Sequence, residues 1–447
     1  MRAEARDGLS RDQEGEMQIW LVTIGEPVPA GEACRDRPHR AGALARYLAV
    51  QGHAVTWWTS TFDHFRKRHW NLRDTICEPQ PNLQIRMLHG GGYARNVSWA
   101  RIRDHQRIAA AFARQCRTVA RPDLIVASLP SLELCDESVR FGREADVPVV
   151  LDMRDMWPDI FLDLAPRPLR SLAALALRPL FRMGCRASAG AAAIIGVTES
   201  FVEWGVSKAA RPRTAWDRSF PFGYERGAVS QSALDAAARA WDARGIDPIR
   251  TPWVACFFGT FGRQLDLATV LAAARILRDK RSPIQFVLCG TGDLWNDFRR
   301  QATGLSNVTM PGWVDAAAIQ ALMARSHVGL DPLPQRFDFL GHINNKAVEY
   351  LSAGLPVISS PDCGTLAGLL AEHQAGGSYA FADPQALVAL LERLYSDPAM
   401  RHRMAENARQ LFEERFAANR VHAAMETYFM ELASLSGRAP ERELSWS

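Results

Sequence analysis

Asn344-Asn345-Lys346-Ala347-Val348-Glu349-Tyr350-Leu351-Ser352-Ala353-Gly354-Leu355-Pro356-Val357-Ile358-Ser359 reads as a short loop, a turn and a half of helix, and a strand. Val348, Leu351 and Ser352 recur at helical spacing, Gly354 suits a left-handed cap, and Pro356 forbids continuation. Val357 and Ile358 then open a β-branched run of the kind found in buried parallel strands. A helix start carrying Asn345, Lys346 and Glu349 at the carboxyl edge of a parallel sheet suits a phosphorylated ligand. Backbone N–H groups and the helix dipole attract phosphate, Lys346 adds charge, and Glu349 can accept from sugar hydroxyls. Taken alone, the stretch reads as an ordinary amphipathic helix with a solvated lysine and glutamate.

Three loops upstream change that balance. Gly259-Thr260-Phe261-Gly262-Arg263-Gln264 follows the apolar run Trp253–Phe258, and its glycines let the backbone approach a diphosphate while Arg263 supplies charge. Gly290-Thr291-Gly292-Asp293 follows the run FVLC, and Gly312-Trp313-Val314-Asp315 follows NVTM. In the third loop, Trp313 and nearby amides could hold a flat base. Each loop is commonplace alone. In order along one sheet edge, they form a pattern.

The rest of the chain repeats the same grammar. Gln18–Ile24, Ala54–Thr59, Leu124–Ser128, Pro148–Asp152 and Ala193–Thr198 are predicted strands, with a helix at about Arg40–Gln51 between the first two. Pro148 is tolerable only at a strand's first position. A second series takes Trp253–Gly259, Ile284–Leu288, Asn307–Met310, Val328–Leu330 and Val357–Ile358 as strands, with helices at Leu265–Arg278 and Ala316–Ala324. Pro384–Leu435 reads as consecutive helices. The expectation is an α/β protein with two tandem Rossmann-like, doubly wound domains facing a cleft. Its segments are a disordered leader 1–16, a first domain 17–222, a second domain 223–415, a helix 416–433 returning to the first domain, and a disordered tail 434–447. The first loop lacks G-x-G-x-x-G, and no acidic residue closes the second strand, so a nicotinamide dinucleotide site is not expected there.

A chain of 447 residues exceeds one core, and a net charge of +4 does not imply nucleic acid. The eight cysteines are scattered without C-x-x-C, which suggests reduced thiols in a cytoplasmic protein. Neither a membrane-spanning run nor a signal peptide is read, and the sequons at Asn96 and Asn307 are taken as chance matches.

The order FFGTFGRQ, CGTGD, GWVD and NNKAVEYLSAGLPVISS resembles the retaining nucleotide-sugar glycosyltransferases of family 4, which have the GT-B fold. The likeness runs over roughly residues 17–433. Within the family, WWTSTFDHFRKRHW, DMRDMWPDIF and VTESFVEWG look like the bacterial branch that builds O-antigen and capsule units. The resemblance implies a hexosyl or N-acetylhexosaminyl transferase with a nucleotide-sugar donor in the second domain and an acceptor held mainly by the first. It places Gly259, Gly262 and Arg263 at the diphosphate, Trp313 and Val314 at the base, and Glu349 at the ribose, with Phe261, Gly290 and Gly292 as further donor-binding candidates. His342, Asn344, Asn345 and Lys346 come nearest the donor sugar.

The family often has a second Glu eight residues before Glu349, where this chain has Gly341. That departure is compatible with a 6-deoxy or N-acetylated deoxy donor. In the first domain Arg154 and Asp155 fall where relatives show a His-Asp pair. They could serve phosphate charge and acceptor orientation, or an Asp155–arginine salt bridge could fix a loop. Arg263 and Lys346 would balance the leaving diphosphate, since the chain contains no Asp-x-Asp for a metal. No metal or other cofactor is expected.

The acceptor contacts expected are Arg40, His64, Arg66 and Lys67, for a polyprenyl-diphosphate-linked glycan. His64–Trp70 and the arginine-rich stretch Leu169–Arg186 could instead rest on the anionic inner face of the plasma membrane, or Leu169–Arg186 could be a core-packed helix. Two rival functions share this architecture: a nucleotide-sugar 2-epimerase and a non-catalytic nucleotide-sugar-binding subunit.

Overall fold

The computed structural model describes residues 16–29, 38–247 and 253–436. Apart from Glu16 and residues 434–436, the expected leader and tail lie outside these. The chain divides into two compact units. The first takes the described residues up to Ile195, then Glu203–Arg218, then those from His422 onward. The second takes Gly196–Val202 and Ser219–Val421.

The strands in chain order are β1 Gln18–Val22, β2 Ala54–Ser60, β3 Phe62–Asp63, β4 Arg68–His69, β5 Thr75–Gln80, β6 Leu83–Leu88, β7 Leu124–Ser128, β8 Val149–Met153, β9 Ala193–Gly196 and β10 Arg218–Ser219. An eight-stranded sheet orders them β10-β9-β8-β7-β1-β2-β6-β5, with β3 and β4 as a separate hairpin. Strands β8, β7, β1, β2 and β6 run parallel, and β5 joins β6 antiparallel. The central strands are buried along their whole length, as suits a parallel sheet with both faces covered. Trp20 anchors one face, stacked on Phe141 at 5.3 Å and edge-on to Trp58 at 5.3 Å. Such aromatic pairs add roughly 0.5–1.5 kcal/mol each beyond area burial.

Strands β5 and β6 were not anticipated. The polar edge segment TICEPQ carries no continuous apolar run, so it does not read as a strand. The stretch FDHFRKRH folds as the β3–β4 hairpin, turning through Lys67 at φ 56°.

The second unit contains β11 Trp253–Phe258, β12 Ile284–Cys289, β13 Val308–Gly312, β14 Val328–Pro332, β15 Val357–Ser360 and β16 Gly376–Ser378. All five strand pairings in the order β13-β12-β11-β14-β15-β16 are parallel. The order reverses at β11/β14, the switch point where ligands of open α/β sheets bind. The helix Asn345–Ser352 is seated there by Tyr350, which is fully buried. A Cβ on Gly329 would lie 2.2 Å from that ring.

The last helix, Ala418–Ser436, begins in the second unit and continues in the first. Within the first unit its Glu426 accepts from Tyr47 at 3.0 Å and lies 3.0 Å from His53, and Tyr428 donates to the Trp216 carbonyl at 2.8 Å.

Asp217 ties a loop of the first unit together. Its carboxylate accepts from Arg211, Thr214 and the Ile194 amide. Burial raises its pKa, but these donors outweigh burial and bring it down to about 2. A carboxylate depressed in the fold stabilises it above the unfolded pKa, and that contribution is lost as pH falls through about 2. Asp217→Asn should therefore cost about 1–2 kcal/mol at neutral pH, discounted for the partial solvent screening of Arg211. Urea unfolding should show the gap closing below about pH 4.

Candidate active site

The site of the second unit is built by loops that share backbone hydrogen bonds. Gly259 N–H donates to the Cys289 carbonyl at 3.0 Å, Phe261 N–H to Thr291 at 2.9 Å, and Gly290 N–H to Gly312 at 2.7 Å. The glycines are needed for this closeness. A Cβ on Gly290 would sit 1.8 Å from the Gly259 carbonyl oxygen, and one on Gly292 would sit 2.5 Å from that of Phe261. Their φ angles, 138° and 154°, also favour glycine. The three loops border a groove of about 240 Å³ lined by Gly259, Thr260, Gly290, Thr291, Trp313 and Val314 among others. Trp313 is 72% exposed and offers an uncovered aromatic face.

Beside Gly259 stands Lys346. Its aliphatic stem lies within 3.3 Å of where a Gly259 Cβ would be, and its ammonium is 5.9 Å from the Phe257 ring centre. Lys346 occupies the first turn of Asn345–Ser352, so its charge adds to the helix dipole. Asp331, at the end of β14, is fully buried. Burial raises its pKa, while Lys346 and a hydrogen bond from Asn344 oppose that rise. One oxygen of Asp331, Oδ1, has no hydrogen-bond partner. His342 is held neutral, its pKa lowered to about 4 by burial and by Lys346, with Phe201 and Phe222 against its ring.

Glu349 is half-buried one turn beyond Lys346, while Arg263 and Asn345 are exposed. The Gly341 carbonyl, at the departure from the Glu pattern, accepts from the Thr198 hydroxyl at 2.6 Å. The second unit thus brings Gly259, Gly290, Trp313, Val314, Lys346 and Asp331 to one sheet edge. Asp331 was missed because a lone acid in VGLDP resembles an ordinary strand end. The signal available was the Asn344 cap that it must satisfy.

Several expectations need correction. Phe261 contributes only backbone, because its side chain is fully buried against Phe257, Trp295 and Phe298. Gly262 faces Gln264, whose side-chain oxygen lies 2.3 Å from a Cβ placed there. Asn344 is the helix cap, accepting from Ala347 N–H at 3.1 Å while donating to Asp331.

In the first unit, Arg40 is buried and forks onto Asp152 at 2.9 and 3.2 Å, so its guanidinium is already matched. Arg154 is buried against Glu26, whose carboxylate also receives the Ala41 and Gly42 amides at 3.0–3.2 Å. Two ion pairs therefore fix the helix Arg40–Val50 to the end of β8, although Nε of Arg154 is buried without a hydrogen-bond partner. Arg66 pairs with Asp63 at 3.0 Å. His64 bonds Tyr93 at 2.6 Å, and Lys67 reaches Asn96. Asp155 lies in the same first unit.

Two Rossmann-like α/β domains in tandem define the GT-B fold. Residues 241–411, in the second unit, match the family model described as glycosyl transferases group 1. Sucrose-phosphate synthase from Thermosynechococcus elongatus is 18% identical, with a TM-score of 0.67 over 94% of this chain and 99% of that one. HepE from Anabaena, solved in complex with UDP, is 14% identical, with a TM-score of 0.63 over 93% and 100%. An α,α-trehalose-phosphate synthase (UDP-forming) from Burkholderia vietnamiensis is 14% identical, with a TM-score of 0.67 over 96% and 100%. At these identities the likeness is one of fold. No curated protein matches the chain in sequence.

Proposed function

We propose that the chain is a retaining glycosyltransferase of family 4, taking a sugar from a nucleotide diphosphate donor to a polyprenyl-diphosphate-linked glycan in bacterial O-antigen or capsule synthesis. The observation that carries this is Lys346 packed on Gly259 at a helix start, beside a groove lined in part by an exposed Trp313. The base would lie on Trp313 and Val314, the ribose at Glu349, and the diphosphate between the glycine loops and Lys346.

The bond from the anomeric carbon to the diphosphate oxygen breaks through an oxocarbenium-like state. The acceptor oxygen bonds to that carbon on the same face, and its proton passes to the departing phosphate. Lys346, Arg263 and the helix amides would stabilise the charge that develops, without a metal. The donor fitting the Gly341 departure is an N-acetylated 6-deoxy sugar.

Among the described residues no helix is long and apolar enough to cross a membrane. A peripheral contact is supported by the helix Arg170–Gly190 and the residue before it. Leu169, Leu172 and Leu175 are more than half exposed there, with Arg178, Arg182 and Arg186 exposed along the same helix.

Incubating the protein with UDP-, GDP- and dTDP-sugars, with and without acceptor, tests the reading. Release of nucleotide that requires acceptor is expected, undiminished by chelator and faster on anionic than on neutral vesicles. Conversion of donor alone would mean an epimerase. Binding without turnover, which the absent carboxylate at Gly341 favours, would mean a non-catalytic subunit.

A further inference from the structure

We infer that Lys67, Arg101 and the start of the helix Trp99–Gln115 form a separate anion site in the first unit, one that takes a phosphate or diphosphate ester. Lys67 comes from the turn of the β3–β4 hairpin and Arg101 from the first turn of the helix. Both converge on one ring: the Lys67 ammonium is 4.8 Å from the centre of Tyr93, and the Arg101 guanidinium is 5.5 Å from it.

Arg101 is pre-set for this position. Its guanidinium lies over Trp157 at 4.2 Å and donates to the Asn96 carbonyl at 3.0 Å, while its backbone N–H is capped by Ser98. Asn96 also accepts from Lys67, so one residue holds both cations. Among the described residues neither cation has a carboxylate within ion-pair distance, whereas neighbouring Arg66 has Asp63.

Two partly buried cations that share one ring, with no carboxylate in ion-pair range among the described residues, repel each other and lose hydration. The fold recovers that cost when an anion arrives. Their mutual effect is visible in the Lys67 ammonium, whose pKa is lowered by burial and then by Arg101. The carboxylates acting from farther away are Asp63 on Lys67, and Asp155, Glu133 and Asp104 on Arg101. His64, hydrogen-bonded to Tyr93, stays neutral with a pKa of about 4, as a hydrogen-bonding group rather than a third charge. The helix amides add their dipole to the same place. The planar Arg101 fork and the Lys67 point charge together suit the oxygens of a phosphate.

The site deepens the acceptor half of the proposed function, on which the ligand's lipid-linked character rests, but its residues owe nothing to the donor groove. Calorimetric titration of the full chain with pyrophosphate should show two sites. Lys67→Met and Arg101→Gln should each weaken one of them about tenfold or more, as expected for losing a charge-assisted contact. Lys346→Met should affect only the other. Loss through Lys346→Met alone, with both first-unit variants binding like wild type, overturns the proposal. Should Arg101→Gln fail to fold, Lys67→Met at its half-buried turn position decides alone.

Co-sedimentation with phosphatidylcholine vesicles carrying a polyprenyl diphosphate, against phosphatidylserine vesicles of matched charge, separates the source. A Lys67→Met defect confined to the diphosphate vesicles assigns a lipid-borne ligand. A defect with pyrophosphate only assigns a free one.

Discussion

Replacing Lys346 by methionine is expected to lower kcat/KM for nucleotide-dependent sugar transfer by about 10²–10³-fold, the usual effect of deleting one preorganised charge at a developing anion. Methionine keeps the stem that packs on Phe257 and Gly259, so the fold should survive and the loss should fall on chemistry. Steady-state kcat and kcat/KM from a donor titration, together with a melting curve, check both halves. Retention of more than about a third of kcat would remove Lys346 from the leaving-group side. Asp331→Asn should have a smaller effect, because that buried group interacts with the Lys346 charge without pairing with it directly.

Arg154→Met should destabilise the protein by about 3–5 kcal/mol, because it leaves Glu26 buried with its charge uncompensated. Although burial alone would raise the Glu26 pKa, Arg154, His39 and the Ala41 and Gly42 amides bring it below the ordinary glutamate range. The stability it contributes is therefore present at neutral pH and fades on acidification. The variant's deficit in urea unfolding should shrink as pH falls below the usual glutamate pKa. An unchanged midpoint with a large fall in kcat would return Arg154 to the chemistry.

The contrast between these residues shows what the sequence makes legible. Lys346 was readable because cap, charge, glycine stop and strand follow within sixteen residues, each dictated by local geometry. The parallel strands were readable because burial on both faces leaves mostly apolar runs, as in LIVA and VVL. The ion pairs of Arg40 and Arg154 were not readable because their partners, Asp152 and Glu26, lie far away in sequence. An arginine at a helix start looks solvated until the fold brings a carboxylate to it. Arg101 and Tyr93 were overlooked for the same reason: only the hairpin brings Lys67 to them. The glycine loops were recognised, but their first task is contact with one another.

The terminal helix Ala418–Ser436 has a practical consequence for dissecting the molecule. A fragment ending near residue 222 would lack Glu426 and Tyr428, stripping Tyr47, His53 and the Trp216 carbonyl of their partners. Anyone wishing to express the leading half alone would have to splice these final turns back on, since the chain supplies that piece of masonry last.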